Sequence, residues 1–557
     1  MAWWHSAVVY QIYPRSFADS DGDGIGDLPG IVAHLDHLNE LGVDVVWLSP
    51  VYSSPMDDNG YDISDYTDVD PTFGTLDDLD RLIAALHERG MKLVMDLVVN
   101  HTSDEHPWFQ GSRDPASDTR DWYLWRPARP GHEPGTPGAE PTNWGSFFSG
   151  PAWEFDPASG EYYLHLFSRK QPDLNWENEN VRQEIYQMMR WWLDRGVDGF
   201  RMDVINLISK TYPLSDGPVN GPGGLCYDPS LVVEGPRLHE FLREMNREVG
   251  ITTRQLFTVG EMILVNVDQA RSHTAETAGE LGMVFTFEHM NIDQHALKWD
   301  TKPLHLPDLK ANLALWQYGL AEEGWNSLYF ENHDQPRSVS RFGNDAPQFR
   351  VASAKTLATT MHLLKGTPYV YQGQELGMTN AYFTSIDQYN DLESTRFYAE
   401  AVASGADPAE LLPEIAFKSR DNARTPMQWD DSANAGFSTA SPWLPVNPNH
   451  VDINAADAVR DPGSVFHHYR RLIGLRHDLE LVREGRFDLL LPDHEQLFCY
   501  TRTLGAQCLL VVANWSSGPV TLPEELPDLA AAEVLLDTHG SASAQLVGWE
   551  SRVYRLG

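Results

Sequence analysis

Short β-branched runs alternate eight times with stretches of helical period along most of the chain, and this pattern restricts it to a parallel sheet covered by helices. The runs lie near 8–13, 43–48, 92–98, 197–203, 256–261, 283–288, 326–332 and 368–373. Between them stand amphipathic segments such as Ile31 to Leu38 and Leu76 to Ile83. Eight strands with intervening helices predict an α/β fold, a closed (β/α)8 TIM barrel whose chemistry belongs at the C-terminal ends of its strands. The spacing is uneven. Roughly a hundred residues separate the third and fourth strands, where a βα unit needs only about 30. The excess is Pro/Gly-rich from Pro127 to Gly145 and aromatic around Trp144 to Phe148, so an ordered inserted subdomain is predicted over 104–174. Past residue 474 alternating apolar segments, including Leu497 to Thr501 and Cys508 to Asn514, predict a C-terminal antiparallel β-sandwich over 474–557. The barrel takes 1–103 and 175–473.

Three predicted strands end abruptly in an acid: Gly199-Phe200-Arg201-Met202-Asp203, Val259-Gly260-Glu261 and Glu331-Asn332-His333-Asp334. A carboxylate at the mouth of a buried strand is costly unless it is paired or used. Arg201 and Asp203 are two apart and point the same way, so the guanidinium is expected to keep Asp203 ionised, as a nucleophile requires. Glu261 closes an apolar run, whose desolvation would keep it protonated as a general acid. Asp334 would stabilise positive charge on a sugar ring. Singly, each acid reads as an ion-paired or capping residue. Three on successive strand ends supply what hydrolysis of a glycosidic bond needs.

Composition excludes other classes. Eighty acidic against 41 basic residues give a formal charge of −39, which repels nucleic acid and anionic membranes. Three cysteines, Cys226, Cys499 and Cys508, suggest neither a disulfide framework nor a zinc site. No signal-peptide pattern precedes the first strand and no segment is long enough to span a bilayer, so a cytoplasmic protein is expected, and a monomer is assumed.

Four ordered segments resemble the signature regions of the α-amylase superfamily of glycoside hydrolases: Asp96 to His101, Gly199 to Asp203, Gly260-Glu261 and Asn332 to Asp334. The resemblance covers nearly the whole chain. It implies a retaining double displacement with Asp203 as nucleophile, Glu261 as acid/base and Asp334 as transition-state stabiliser, with no organic cofactor. It further implies that His101, Arg201 and His333 line the pocket, that Phe167 touches substrate, and that Asp96 braces the barrel. Gln171 to Asn175 and Arg420 to Trp429 resemble one branch, the α-glucosidases and oligo-1,6-glucosidases that act from the non-reducing end of short substrates. On that likeness Tyr61 stacks on the terminal glucose, Asp62 grips it, and Arg420 pairs with Asp62 to close the floor. Val204, just after the nucleophile, goes in similar enzymes with α-1,6 bonds, against the plainer reading of a strand residue with good β propensity. Gln374 stands where the branch commonly has a second Glu, but Glu375 remains. The stretch Asn332 to Arg337 lacks the Arg-rich pattern associated with sucrose isomerases. The expected activity is release of glucose from short α-glucosides, favouring α-1,6 bonds. The alternatives are an α-1,4-glucosidase acting on maltose or sucrose, a transglycosylating relative and, remotely, a non-catalytic homologue serving as a binding subunit.

Asp19, Asp21, Asp23 and Asp27 occupy positions 1, 3, 5 and 9 of a calcium-type loop, with the Ile25 carbonyl at position 7. Position 12 is Gly30, so this is an isolated Asp loop and not an EF-hand. Similar loops in the resembling glucosidases hold a structural Ca²⁺ or Mg²⁺, which is expected here.

Overall fold

Val45-Val46-Trp47-Leu48 is buried at all four positions, as a strand covered on both faces must be. The same holds for most of the predicted strands in the computed structural model, which describes residues 2–295, 297–540 and 543–556. The fold is the predicted (β/α)8 barrel with a C-terminal antiparallel region. Its strands are β1 Val9–Ile12, β2 Val45–Leu48, β3 Lys92–Val98, β4 Gly199–Asp203, β5 Phe257–Glu261, β6 Met283–Phe285, β7 Ser327–Leu328 and β8 Thr367–Tyr371. The chain divides into two compact units. One comprises Met1–Trp47, Ala85–Lys92 and Phe287–Gly557; the other comprises Leu48–Ala84 and Leu93–Thr286.

The 48–286 unit carries β6, β5, β4 and β3 side by side in that order, all parallel. Gly199 is obligatory at the start of β4: a Cβ there would lie 2.0 Å from the carbonyl oxygen of Phe257 on β5. The helix Glu179–Arg195 begins at Asn178, whose side chain accepts from Asn180 N–H, and ends at Gly196 with φ 113°. It buries Val181, Ile185, Met188, Met189 and Trp192 along one stripe. The predicted insertion is ordered, with a helix at Pro107–Ser112 and three antiparallel strands, Trp125–Arg126, Trp153–Asp156 and Glu161–Leu164. Its core joins Trp144, Trp153, Leu164 and Leu166 to Val204, Leu207 and Val232 from the segment after β4.

The other unit carries β2, β1, β8 and β7 in that order. The strand β7 has only two residues, against the predicted seven, because Glu331 leaves the ladder to receive Ser338 N–H and the Arg337 guanidinium. Helices run through Val465–Asp478 and Glu480–Glu484, so the β region starts at Arg486 instead of 474. The cause is Arg476, a charge that interrupts the apolar pattern yet is fully buried, donating to the carbonyls of His362, Leu364, Gly366 and His5. A five-stranded antiparallel sheet and the pair Val520–Thr521 with Gln545–Leu546 follow. They share a core of Leu497, Leu510, Val512, Val520 and Leu546. Among the described residues no helix is long and apolar enough to cross a membrane.

Candidate active site

Arg201 gathers three carboxylates at the C-terminal ends of β3, β4 and β5. Its Nη1 lies 2.7 Å from Asp96 Oδ1 and 2.5 Å from Asp203 Oδ1, and its Nη2 lies 2.7 Å from Glu261 Oε2. All four residues are buried. Asp203 and Glu261 thus meet on the same guanidinium from adjacent strands. Burial pushes Asp203 up to about 6, against the downward pull of Arg201. The expected guanidinium effect is therefore present but outweighed, and Asp203 is still ionised at neutral pH. The expected apolar setting of Glu261 is corrected: its Oε2 meets Arg201 and accepts from the Val204 N–H at 3.1 Å. That charged partner comes from the neighbouring strand, a cause that the apolar run does not reveal. Val204 is no strand residue either. It lies one past β4, with φ 36°, and its side chain enters the core of the insertion.

The neighbouring loops hold the predicted sugar-binding groups of this unit. Asp62 is fully buried, and its carboxylate receives the N–H groups of Asp57 at 2.8 Å and Asp58 at 3.0 Å and the Ser54 hydroxyl at 3.1 Å. Burial still raises it to about 6, with those donors opposing. The Tyr61 hydroxyl donates to Asp96 Oδ2 at 3.3 Å. The His101 Nε2 meets the Tyr61 carbonyl at 3.1 Å, and burial drives this imidazole down to about 4, so it is neutral. The half-buried Phe167 ring sits 5.2 Å from His101. Gln171 explains its motif: its amide donates to Asp58 Oδ2 at 3.1 Å and to the Tyr61 carbonyl at 3.3 Å. Lys210 was missed by the sequence reading. It is buried and pairs with Asp173 at 2.8 Å while donating to Asn100 at 3.0 Å; a lysine after the apolar run Leu207-Ile208 was the available signal.

In the other unit, Asp334 follows β7. Its Oδ1 accepts from Arg424 at 2.7 Å and Arg420 at 3.1 Å, and its Oδ2 lies 3.1 Å from His333 Nε2. Burial favours its neutral form, but His333, Arg420 and Arg424 outweigh this and hold it well below the ordinary carboxylate range. Asp334 stays 30% exposed on its side chain, open to a charge that develops nearby. His333 Nδ1 meets Gln11 Nε2 at 2.7 Å, and its ring packs on Tyr13 and Trp47. Sequence reasoning missed Arg424, although it quoted the motif, and Asp391, which takes the Arg420 Nε at 2.8 Å. Gln374 accepts from the Tyr371 N–H at 3.1 Å, a role that a Glu carboxylate fills equally. Glu375 accepts from the Tyr10 hydroxyl and meets His37, both at 2.9 Å, as a structural acid.

In the Asp loop, one carboxylate oxygen each from Asp19, Asp21 and Asp27 lies within 4.8 Å of the others, a donor set that suits a hard cation. Asp23 stands outside this group, its Oδ1 accepting from the Ile25 N–H at 2.7 Å. Asp27 also caps the helix Leu28–Ala33 by accepting from Gly30 N–H.

Residues 11–485 match the model of the α-amylase catalytic domain. An oligo-1,6-glucosidase of Parageobacillus thermoglucosidasius is 54% identical over 566 residues, covering 100% of this chain and 99% of the relative. An α-glucosidase of Pediococcus pentosaceus is 50% identical, over 100% of this chain and 99% of the relative. The crystal structure of the trehalose-6-phosphate hydrolase of Bacillus licheniformis superposes with a TM-score of 0.93 at 44% identity, over 100% of both chains.

Proposed function

Given that the chain belongs to the α-amylase family of glycoside hydrolases, we propose that it is an α-glucosidase of the oligo-1,6 type, releasing glucose from the non-reducing end of isomaltose-like oligosaccharides. The single observation that carries the mechanism is the Asp203–Glu261 pair, two carboxyl groups on adjacent strand ends held by one guanidinium. Asp203 attacks the anomeric carbon as Glu261 gives its proton to the departing glycosidic oxygen. The covalent glucosyl-enzyme forms and the exocyclic C–O bond breaks. Glu261, now ionised, takes a proton from water, which attacks the same carbon and regenerates Asp203 with net retention. Asp334, held ionised by Arg420 and Arg424, faces the positive charge of the oxocarbenium-like transition state. Tyr61, Asp62, His101, Phe167, His333 and Arg420 bind the sugar.

The α-1,6 preference is supported by Val204 and by the names of several relatives above half identity. The test is initial rates of glucose release from isomaltose and maltose, with Asp203→Asn as control and Val204→Thr alongside. Faster isomaltose cleavage, abolished in Asp203→Asn and shifted toward maltose in Val204→Thr, is the expected result; faster maltose cleavage by the wild type makes the enzyme an α-1,4-glucosidase. The Asp loop would hold a structural Ca²⁺ or Mg²⁺ through Asp19, Asp21 and Asp27, bracing the segment after β1 with no part in bond breaking. The three free cysteines suit a reducing cytoplasm.

A further inference from the structure

The turn after Asp203 is strained. Val204 has φ 36° and ψ 41°, left-handed backbone that a β-branched side chain resists, and such a conformation persists only where its surroundings hold it. One hold is the Val204 N–H on Glu261 Oε2 at 3.1 Å. The other is Asn206. This fully buried side chain closes its amide on the backbone of Ile263, with Nδ2 donating to the carbonyl at 2.8 Å and Oδ1 accepting from the N–H at 3.2 Å.

The location of this clamp matters more than its strength. The β4–β5 ladder ends with Met202 opposite Gly260, so beyond it no strand pairing sets the Asp203 turn against the Glu261 segment. The Asn206 amide replaces that pairing three residues past the nucleophile and two past the acid. The segment beyond Ile263 leaves at once, with Leu264 at φ 57° and exposed. The Asn206 carbonyl is itself fixed by the Glu234 N–H at 3.0 Å.

We infer that Asn206 is a positioning residue: its two-bond clamp on Ile263 fixes the Glu261 carboxyl relative to Asp203 and so aims the acid's proton at the leaving oxygen. The inference rests on the acid/base and nucleophile roles proposed for Glu261 and Asp203. Displacing a general acid by even about 1 Å costs large factors in rate. The Asn206 amide supplies both the donor and the acceptor that the clamp uses.

The test compares kcat/KM for isomaltose, whose leaving oxygen needs a proton, with that for p-nitrophenyl α-glucoside, whose phenolate departs without one. Asn206→Ala is expected to lose at least about tenfold more on isomaltose than on the aryl glucoside, within the range that general acids contribute. Asn206→Leu, close in size but with neither donor nor acceptor for Ile263, shows the same bias and carries the comparison if the alanine variant does not fold. Equal losses on both substrates, or a lowered Tm with unchanged rates, overturn the inference. Glu261→Gln separates the two levels. If its loss is also independent of the leaving group, the acid assignment falls and the inference with it. If only the Asn206 variants lack the bias, the positioning role alone is refuted.

Discussion

Replacing Asp203 by Asn removes activity and should also make the protein more stable, by an amount that depends on pH. Burial lifts the Asp203 carboxyl from 3.8 to about 6 even with Arg201 beside it, so the folded protein resists its ionisation. At about 1.36 kcal/mol per pH unit, holding that charge costs about 3 kcal/mol at pH 7.5. The sign follows from proton binding. Below 3.8 both folded and unfolded chains are protonated and the cost vanishes. Between 3.8 and about 6 the unfolded chain ionises first, so stability falls as pH rises, and above about 6 the full cost is present. An amide cannot ionise, and Arg201 keeps Asp96 and Glu261 as partners. Unfolding entropy of about 2.1 cal/mol/K per residue over 557 residues makes about 1.2 kcal/mol/K, so the gain is about 2–3 °C in Tm. Scanning calorimetry of Asp203→Asn and wild type at pH 4 and 7.5 checks this. A gain of equal size at both pH values, or a loss at pH 7.5, refutes the reasoning.

The acid limb of kcat/KM should fall as pH drops through about 6, because Asp203 must be ionised to attack; a limb lying below about 4.5 would count against the assignment. His273, fully buried between Glu234 at 3.1 Å and Glu280 at 2.7 Å, is raised to about 9 because the two carboxylates outweigh burial. Its contribution is complete below 6.5 and lost as pH rises through about 9, so His273→Gln should lower Tm at pH 6 and much less at pH 10. Chelation with EDTA should lower Tm, restored by Ca²⁺ or Mg²⁺, and Asp21→Asn should blunt that response; a melting curve indifferent to chelator, with no metal in elemental analysis, would remove the cation site.

The barrel was legible because fully buried strands such as β2 and β4 are near-continuous apolar runs, a pattern set by covering both faces of a sheet. The catalytic acids were legible for the opposite reason, since Asp203 and Glu261 break those runs at their ends. What stayed hidden depends on contacts between residues distant in sequence. Arg476 is charged yet buried because four backbone carbonyls surround it, and no local pattern announces that. The meeting of Asp203 and Glu261 on Arg201 arises from the register of two strands, so a rule that examines one apolar run assigns Glu261 the wrong environment. Val204 has the composition of a strand residue but a left-handed φ imposed by Glu261 and by Asn206, and Lys210 and Asp173 pair across the helix Glu179–Arg195 and β4.

The core of the insertion is not its own. Trp144, Trp153, Leu164 and Leu166 pack with Val204 and Leu207, the residues that lead away from the nucleophile. The segment cannot be exchanged between relatives as a portable module, because a grafted insertion brings a new lining to the back of the Asp203 turn. Conversely, substitutions at Trp144 or Leu166, far along the chain from Asp203, act on the packing behind the Asp203 turn and leave the acids themselves untouched.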